Sequence, residues 1–263
     1  MSLQRGILSF FERVALAWEG ISLATAEAWR QSEPARAACG RQWDRTLRHP
    51  YLWSFLYVAL FCALAMWALD RPLAHFLKAH VGGEVEGFFK VVTRLGEAQL
   101  YLVPAGLAWG GLMLASLRAA SLSARARLRR WAVTPGFLFL SIAVSGLISN
   151  AIKVSLGRYR PRYLFEDGTY GFNPFSRNWG MNSFPSGHSQ AIFAAMVALL
   201  VIFPRYNIMW LAIAVLVALS RVVTTVHYLS DTVAGSWLAI CVTLGIARLF
   251  RSRGWEPRIG REW

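Results

Sequence analysis

Three polar stretches in an otherwise apolar chain carry residues that can handle an anion. The first is Lys153, followed seven residues later by Arg160-Pro161; the second is Pro185-Ser186-Gly187-His188; the third is Ser220-Arg221, then His227 and, four residues on, Asp231. In the middle stretch Pro185 stops what precedes it, Ser186 can cap the free N–H groups of a following helix, and Gly187 lets the backbone approach a ligand closely. Such a helix start suits phosphate, and His188 stands beside it as a candidate proton donor. Read alone, the same turn also describes an ordinary N-cap with an incidental histidine. If the preceding helix persists, Lys153 and Arg160 share a face at i and i+7; the alternative for the pair is interfacial anchoring at the end of a span. A histidine and an aspartate at i and i+4 on a helix can meet. Asp231 can then accept a hydrogen bond from one ring nitrogen of His227 and leave the other as a nucleophile, the orienting logic of hydrolase triads. Asp231 also reads, with Ser230, as the cap of the next helix. Arg221 lies between Ala218-Leu219 and Val222-Val223, where a buried guanidinium needs an anion.

The elements that must position these residues are membrane spans. Of 263 residues 56% are hydrophobic and 16% charged, too apolar for an ordinary soluble domain. The net charge of +14 comes from short arginine runs between long apolar segments, a pattern that fits lipid headgroups and excludes a nucleic-acid groove. Apolar runs at 52–69, 100–117, 131–152, 189–203, 208–219 and 232–250 predict an all-α polytopic protein of six transmembrane helices. The fourth and fifth are short for a crossing. Either their helices continue through the motif residues or the motif lies below the membrane surface, and both options put the polar residues at a cavity. Residues 70–99 read as a charge-balanced exterior connection, whereas the arginines before 52, at 118–130 and after 248 mark the cytoplasmic side. All three polar stretches then emerge on the exterior face.

Residues 1–50 form a separate cytoplasmic region with an amphipathic pattern at Leu8, Phe11, Ala15 and Trp18; 51–250 hold the spans and 251–263 a basic cytoplasmic tail. The N-terminal apolar residues are interrupted by Glu12, Arg13 and Glu19, unlike a cleavable signal. Cys39, Cys62 and Cys241 have neither metal-ligand spacing nor a disulfide framework. Glu166 and Asp167, the nearest acidic pair, read as loop surface, so neither a metal nor another cofactor is expected.

The residues Lys153-x6-Arg160-Pro161, Pro185-Ser186-Gly187-His188 and Ser220-Arg221-x5-His227-x3-Asp231 resemble, in every type and spacing, the signature of the type 2 phosphatidic acid phosphatase (PAP2) superfamily. The resemblance implies that His227 attacks phosphorus and is transiently phosphorylated, that Asp231 supports it, and that His188 protonates the leaving group. Lys153, Arg160, Arg221 and the backbone at Ser186-Gly187 would bind the phosphate oxygens. The expected activity is metal-independent hydrolysis of a lipid phosphate or diphosphate monoester: undecaprenyl diphosphate, phosphatidate or phosphatidylglycerophosphate, or a lipid A phosphate. The expected site faces the periplasm from a bacterial cytoplasmic membrane. A membrane sugar-phosphate phosphatase and a non-catalytic lipid-phosphate carrier are the alternatives; a carrier has no use for the pair of histidines. Aromatic residues at 163–179, with Arg177 among them, and Phe88-Phe89 are candidates for lipid specificity or for an interfacial belt.

Overall fold

The computed structural model describes residues 33–175 and 179–257. The amphipathic pattern at residues 8–18 and Arg177, Arg258 and Arg261 lie outside the described residues. The chain divides into two compact units, Met1–Leu56 and Tyr57–Trp263. In the first, α1 (Glu33–Arg48) is a polar helix with Arg45 and Arg48 in its last turn, followed by the opening turns of α2 (Pro50–Leu64).

Among the described residues five helical stretches are long and apolar enough to cross a bilayer: Pro50–His80, which begins in the first unit, and, in the second, Gly83–Arg118, Leu122–Leu156, Pro204–Val223 and Leu229–Ser252. Their outward faces carry large apolar side chains, with Trp67 85% and Leu107 73% exposed, as lipid contact requires. Among the described residues no strand ladder forms; Arg158 and Phe172 make an isolated bridge.

Within the first stretch α2 runs through a π-helical turn, Ala65–Leu69, into α3 (Asp70–His80), and the Asp70 N–H donates to Ala65 O. The turn delivers Asp70 to the interior, where it is 1% exposed. The expected exterior connection at 70–99 is therefore largely helical. After α3 come α4 (Gly83–Val92) and a 3₁₀ turn, Thr93–Gly96, before α5 (Gln99–Arg118).

The third stretch is α6 (Leu122–Leu156), capped by Ser121 and closed by Gly157 in the left-handed conformation, φ 58°. The arginine run 125–130 thus belongs to the same helix as the apolar span. A short α7 (Pro161–Glu166) follows. At the centre lies α8 (Gly187–Ile202), apolar on all sides and almost wholly buried against α6, α9 (Asn207–Val223) and α10 (Leu229–Ser252). It can be short because protein surrounds it. Of the two options for the short runs, the first holds: α8 includes Gly187 and His188, and α9 includes Ser220 and Arg221. The Gln190 amide donates to Ser145 Oγ at 2.7 Å, a polar tie between α8 and α6 inside the bundle.

Candidate active site

His227 sits in the turn between α9 and α10 and is 3% exposed. The carbonyl of Arg221, at the end of α9, accepts the His227 N–H at 3.1 Å, so the last turn of that helix holds the imidazole backbone. Asp231 stands in the first turn of α10, and its Oδ2 lies 3.4 Å from His227 Nδ1. The pair meets across a helix start and not along one helix, which corrects the i, i+4 expectation while keeping its outcome. Asp231 Oδ2 also accepts from the Tyr228 N–H at 2.9 Å and from the Ser183 hydroxyl at 2.6 Å. Both readings of this aspartate therefore apply, since it helps close the helix N-terminus and faces the histidine. Burial pushes the His227 imidazolium down to about 3; Asp231 opposes that shift, and the charges of Lys153 and Arg160 reinforce it. The ring is neutral at ordinary pH, with Nδ1 turned to Asp231 and Ser183.

Behind Asp231 lies a guanidinium that motif spacing did not single out. Arg158 is fully buried; its Nη1 donates to Asp231 Oδ1 at 2.5 Å and to Ser230 Oγ at 2.7 Å, and its Nη2 donates to Asp70 Oδ2 and Tyr170 OH, each at 2.8 Å. Ser230 donates its hydroxyl to Asp70 Oδ2 and its N–H to Asp70 Oδ1. The Tyr228 ring, 4.5 Å from the Arg158 guanidinium carbon, covers the group. Burial disfavours this charge, but Asp231 and Asp70 more than offset it and hold the guanidinium above its ordinary value. One cation thus links α3, the segment after α6 and the start of α10.

The helix of Lys153 ends at Leu156, so Arg160 does not share its face by helical period. The backbone reverses at Gly157, whose N–H caps Lys153 O, and Arg160 becomes the residue before α7. Any Cβ at position 157 would overlap the Asn173 carbonyl, so the turn needs glycine. The two cations still converge: both act electrostatically on His227, and together with Arg221 on His188. Burial and the neighbouring Arg162 push Arg160 down from the usual guanidinium value, and its Nε, like that of Arg221, is buried without a partner. Arg221 Nη1 donates to Thr93 Oγ1 at 2.6 Å, and Lys153 Nζ to the Asn182 carbonyl at 3.2 Å. Among the described residues no carboxylate lies within ion-pair distance of Lys153, Arg160 or Arg221. Cations left with spare donors in a buried space are built for an anion.

At the start of α8, Ser186 caps the helix: its hydroxyl accepts from the Ser189 N–H. Its own N–H donates to Asp231 O at 2.9 Å, so this donor is committed to protein, contrary to the expectation that it binds phosphate. The Gly187 and His188 N–H groups, which precede the first intrahelical bond, are the ones left for a ligand. Two glycines set this close packing. A Cβ on Gly235 would stand 2.5 Å from Ser186 O, and one on Gly96 would press on His188 Cβ at 3.0 Å. Beside His188 a groove of about 770 Å³ opens between α5 and α6, lined by Leu102, Ile142 and Leu147 on its apolar side and by Lys153 and Asn150 on its polar side.

Arg158, Asp70, Ser183 and Thr93 escaped motif reading because each is separated from its partner by a turn or by a long span of sequence. Asp70 alone left a trace, as an acid at the end of an apolar run. Trp179 and Arg177, singled out as specificity candidates, have no described side-chain position.

Residues 135–255, which contain all three polar stretches, match the model of the PAP2 superfamily. A lipid A 1-phosphatase of Rhizobium johnstonii is 29% identical over 222 residues, 81% of this chain and 89% of that protein. A lipid A 1-phosphatase of Rhizobium etli is 36% identical over 116 residues, 43% of this chain and 50% of that protein. The crystal structure of a transmembrane PAP2-type phosphatidylglycerolphosphate phosphatase from Bacillus subtilis has the same fold, with a TM-score of 0.53 at 17% identity over 77% of this chain and 96% of that one. With motif and family model in agreement, residues 135–255 form a PAP2 superfamily domain of phosphatase type, within a chain whose fold is that of a transmembrane PAP2-type protein.

Proposed function

We propose that this phosphatase removes the 1-phosphate of lipid A through a phosphohistidine at His227, on the periplasmic face of a bacterial inner membrane. The mechanism rests on one observation above all: a buried imidazole whose Nδ1 lies 3.4 Å from Asp231 Oδ2, in a site where Lys153, Arg160 and Arg221 have no carboxylate partner among the described residues. The Nε2 lone pair forms the new bond to phosphorus as the bond to the leaving oxygen breaks; His188, whose imidazolium burial and the three cations disfavour in the free enzyme, takes up a proton once the phosphate dianion offsets those cations, and gives it to that oxygen. Water then attacks the phosphohistidine, returning its proton to His188 and releasing inorganic phosphate and free His227. Lys153, Arg160, Arg221 and the Gly187 and His188 N–H groups stabilise the equatorial oxygens while negative charge spreads over them. Counting Arg158, the site holds four cations against Asp70 and Asp231, an excess that suits the dianion of a phosphate monoester.

The choice of lipid A over phosphatidate, phosphatidylglycerophosphate or undecaprenyl diphosphate is supported by the two rhizobial relatives, both lipid A 1-phosphatases. Phosphate release by purified protein from these four lipids, in excess chelator, tests the reading. Release is expected from lipid A 1-phosphate, with inhibition by vanadate, a five-coordinate mimic of the phosphorus. Turnover confined to another lipid overturns the substrate. Activity lost to chelator and restored by magnesium overturns the metal-free mechanism.

A further inference from the structure

A second pocket lies at the opposite end of the bundle. On α6, Arg129 and Lys153 are 24 residues apart, which a helical rise converts to about 36 Å. Around Arg129 the sequence places Val133, Gly136 and Leu140 at i+4, i+7 and i+11, one stripe along the helix. The stripe faces a cavity of about 410 Å³, closed by Trp109 and Met113 of α5 and by Phe250 and Trp255. That volume falls within the range of small-ligand sites.

The walls are built, not left over from loose packing. Gly136 is required by the Trp109 indole, because a Cβ there would lie 2.9 Å from its Nε1. Past the end of α10, Gly254 adopts φ 71° and reverses the chain, and the Trp255 N–H donates to Phe250 O at 2.9 Å. The Trp255 ring then meets Phe250 edge-on at 5.5 Å, and Pro257 O accepts from Thr134 Oγ1 at 3.4 Å, which ties the segment to α6. An outer groove of about 450 Å³ shares Arg129, Val133 and Trp255 with the cavity and adds Arg130. Glu256 is the carboxylate on its wall; the other charges lining the two spaces are arginines.

We propose that this is a binding site for one anionic phospholipid of the leaflet on that face, with an acyl chain in the apolar cavity and its phosphate on Arg129 at the rim. Charge and shape each select this occupant. The arginines between 118 and 130 and between 248 and 253 crowd the same end of the bundle, and basic pockets between spans hold anionic headgroups. Trp255, 48% exposed, has the amphipathic ring suited to headgroup depth. A neutral or cationic lipid would fill the cavity but bring no anionic group to Arg129 at its rim. The site is remote from His227, so it binds lipid as a structural or regulatory ligand and not as substrate.

Native mass spectrometry of the full-length protein tests the proposal. It compares retention of phosphatidylglycerol and phosphatidylcholine of equal acyl length, with vanadate present to occupy the catalytic pocket. Wild type is expected to hold one phosphatidylglycerol in preference. Arg129→Gln, a surface change, should reduce that preference about fivefold, the effect of one arginine near a membrane surface. Val133→Phe, which fills the junction of cavity and groove, should lower retention of both lipids. Hydrolysis of an aryl phosphate in detergent should match wild type in both variants, and it reports that they are folded. Equal retention of the two lipids by wild type overturns the proposal, and so does a preference that survives Arg129→Gln or retention that survives Val133→Phe. None of these outcomes bears on the phosphatase reading.

Discussion

The two histidines have different environments and should fail differently. His227 is buried in a turn with Asp231, Ser183 and the Arg221 carbonyl about it, whereas His188 lies in the first turn of α8 beside the lateral groove. His227→Ala is expected to abolish turnover and acid-labile phosphoenzyme alike. His188→Ala should lose roughly 10²–10⁴-fold on a lipid substrate, as general-acid loss does. Much of that should return with an aryl phosphate, whose leaving group departs unprotonated. Rescue of His227→Ala with an inactive His188→Ala would reverse the roles. The pH dependence follows from burial. Because the folded-state pKa of His227, about 3, lies below that of a free histidine, the unfolded chain binds more protons between about pH 6.5 and pH 3. Stability supplied by the neutral ring is complete above that window and is lost as pH falls through it. Thermal unfolding in detergent should show a smaller acid-side decline for His227→Gln than for wild type. An equal decline would mean that the ring is charged in the fold.

At the scale of elements, the site depends on how three segments are moored to Arg158. Its ion pairs to Asp70 and Asp231 join α3 to α10, and Tyr170 OH passes a further bond to Met66 O at 2.8 Å, inside the π-helical turn. Losing one partner of a buried pair costs about 3–5 kcal/mol, since the remaining charges have no water to turn to. Arg158→Gln should therefore lower the unfolding temperature and kcat together, with little change in KM, because the Asp231 partner of His227 loses its anchor while the phosphate-binding cations stay. Asp70→Asn, one element further back, should give a milder version of the same pattern. A rise in KM with kcat intact would place Arg158 among the substrate-binding groups and overturn its positioning role. Gly235 belongs to this scale too: it lets α10 pass against the Ser186 carbonyl, and Gly235→Ala must displace the α8 start that carries His188.

For the whole molecule the expectation concerns orientation. Basic residues gather at 118–130 and 248–253, the ends of α5, α6 and α10 remote from the site, and the positive-inside rule puts those ends in the cytoplasm. A cysteine at exposed Asp167, in a background without Cys39, Cys62 and Cys241, should react with an impermeant thiol reagent in intact cells. One at exposed Ser123 should react only after lysis. The reverse pattern would turn the protein over in the membrane and move the site to the cytoplasm.

The candidate groups are legible in the chain by itself. Motif residue types and spacing pick out the two histidines, Asp231 and three cations as candidates, because phosphoryl transfer needs such groups whatever holds them. Apolar runs marked the spans, because a bilayer demands length and hydrophobicity of each helix separately. What the chain did not disclose depends on contacts between distant segments. Arg158 looks like one more arginine beside Arg160, and Asp70 like a charge in a connection, until a π-helical turn and the reversal at Gly157 bring them together. Periodicity put Lys153 and Arg160 on one helix, and only the left-handed Gly157 shows that the helix has ended before Arg160. Ser186 was a plausible phosphate donor until the approach of α10, allowed by Gly235, gave its N–H to Asp231 O. Spacing along a chain reports which groups the chemistry requires; which of their hydrogen bonds remain free for substrate is decided by what folds against them.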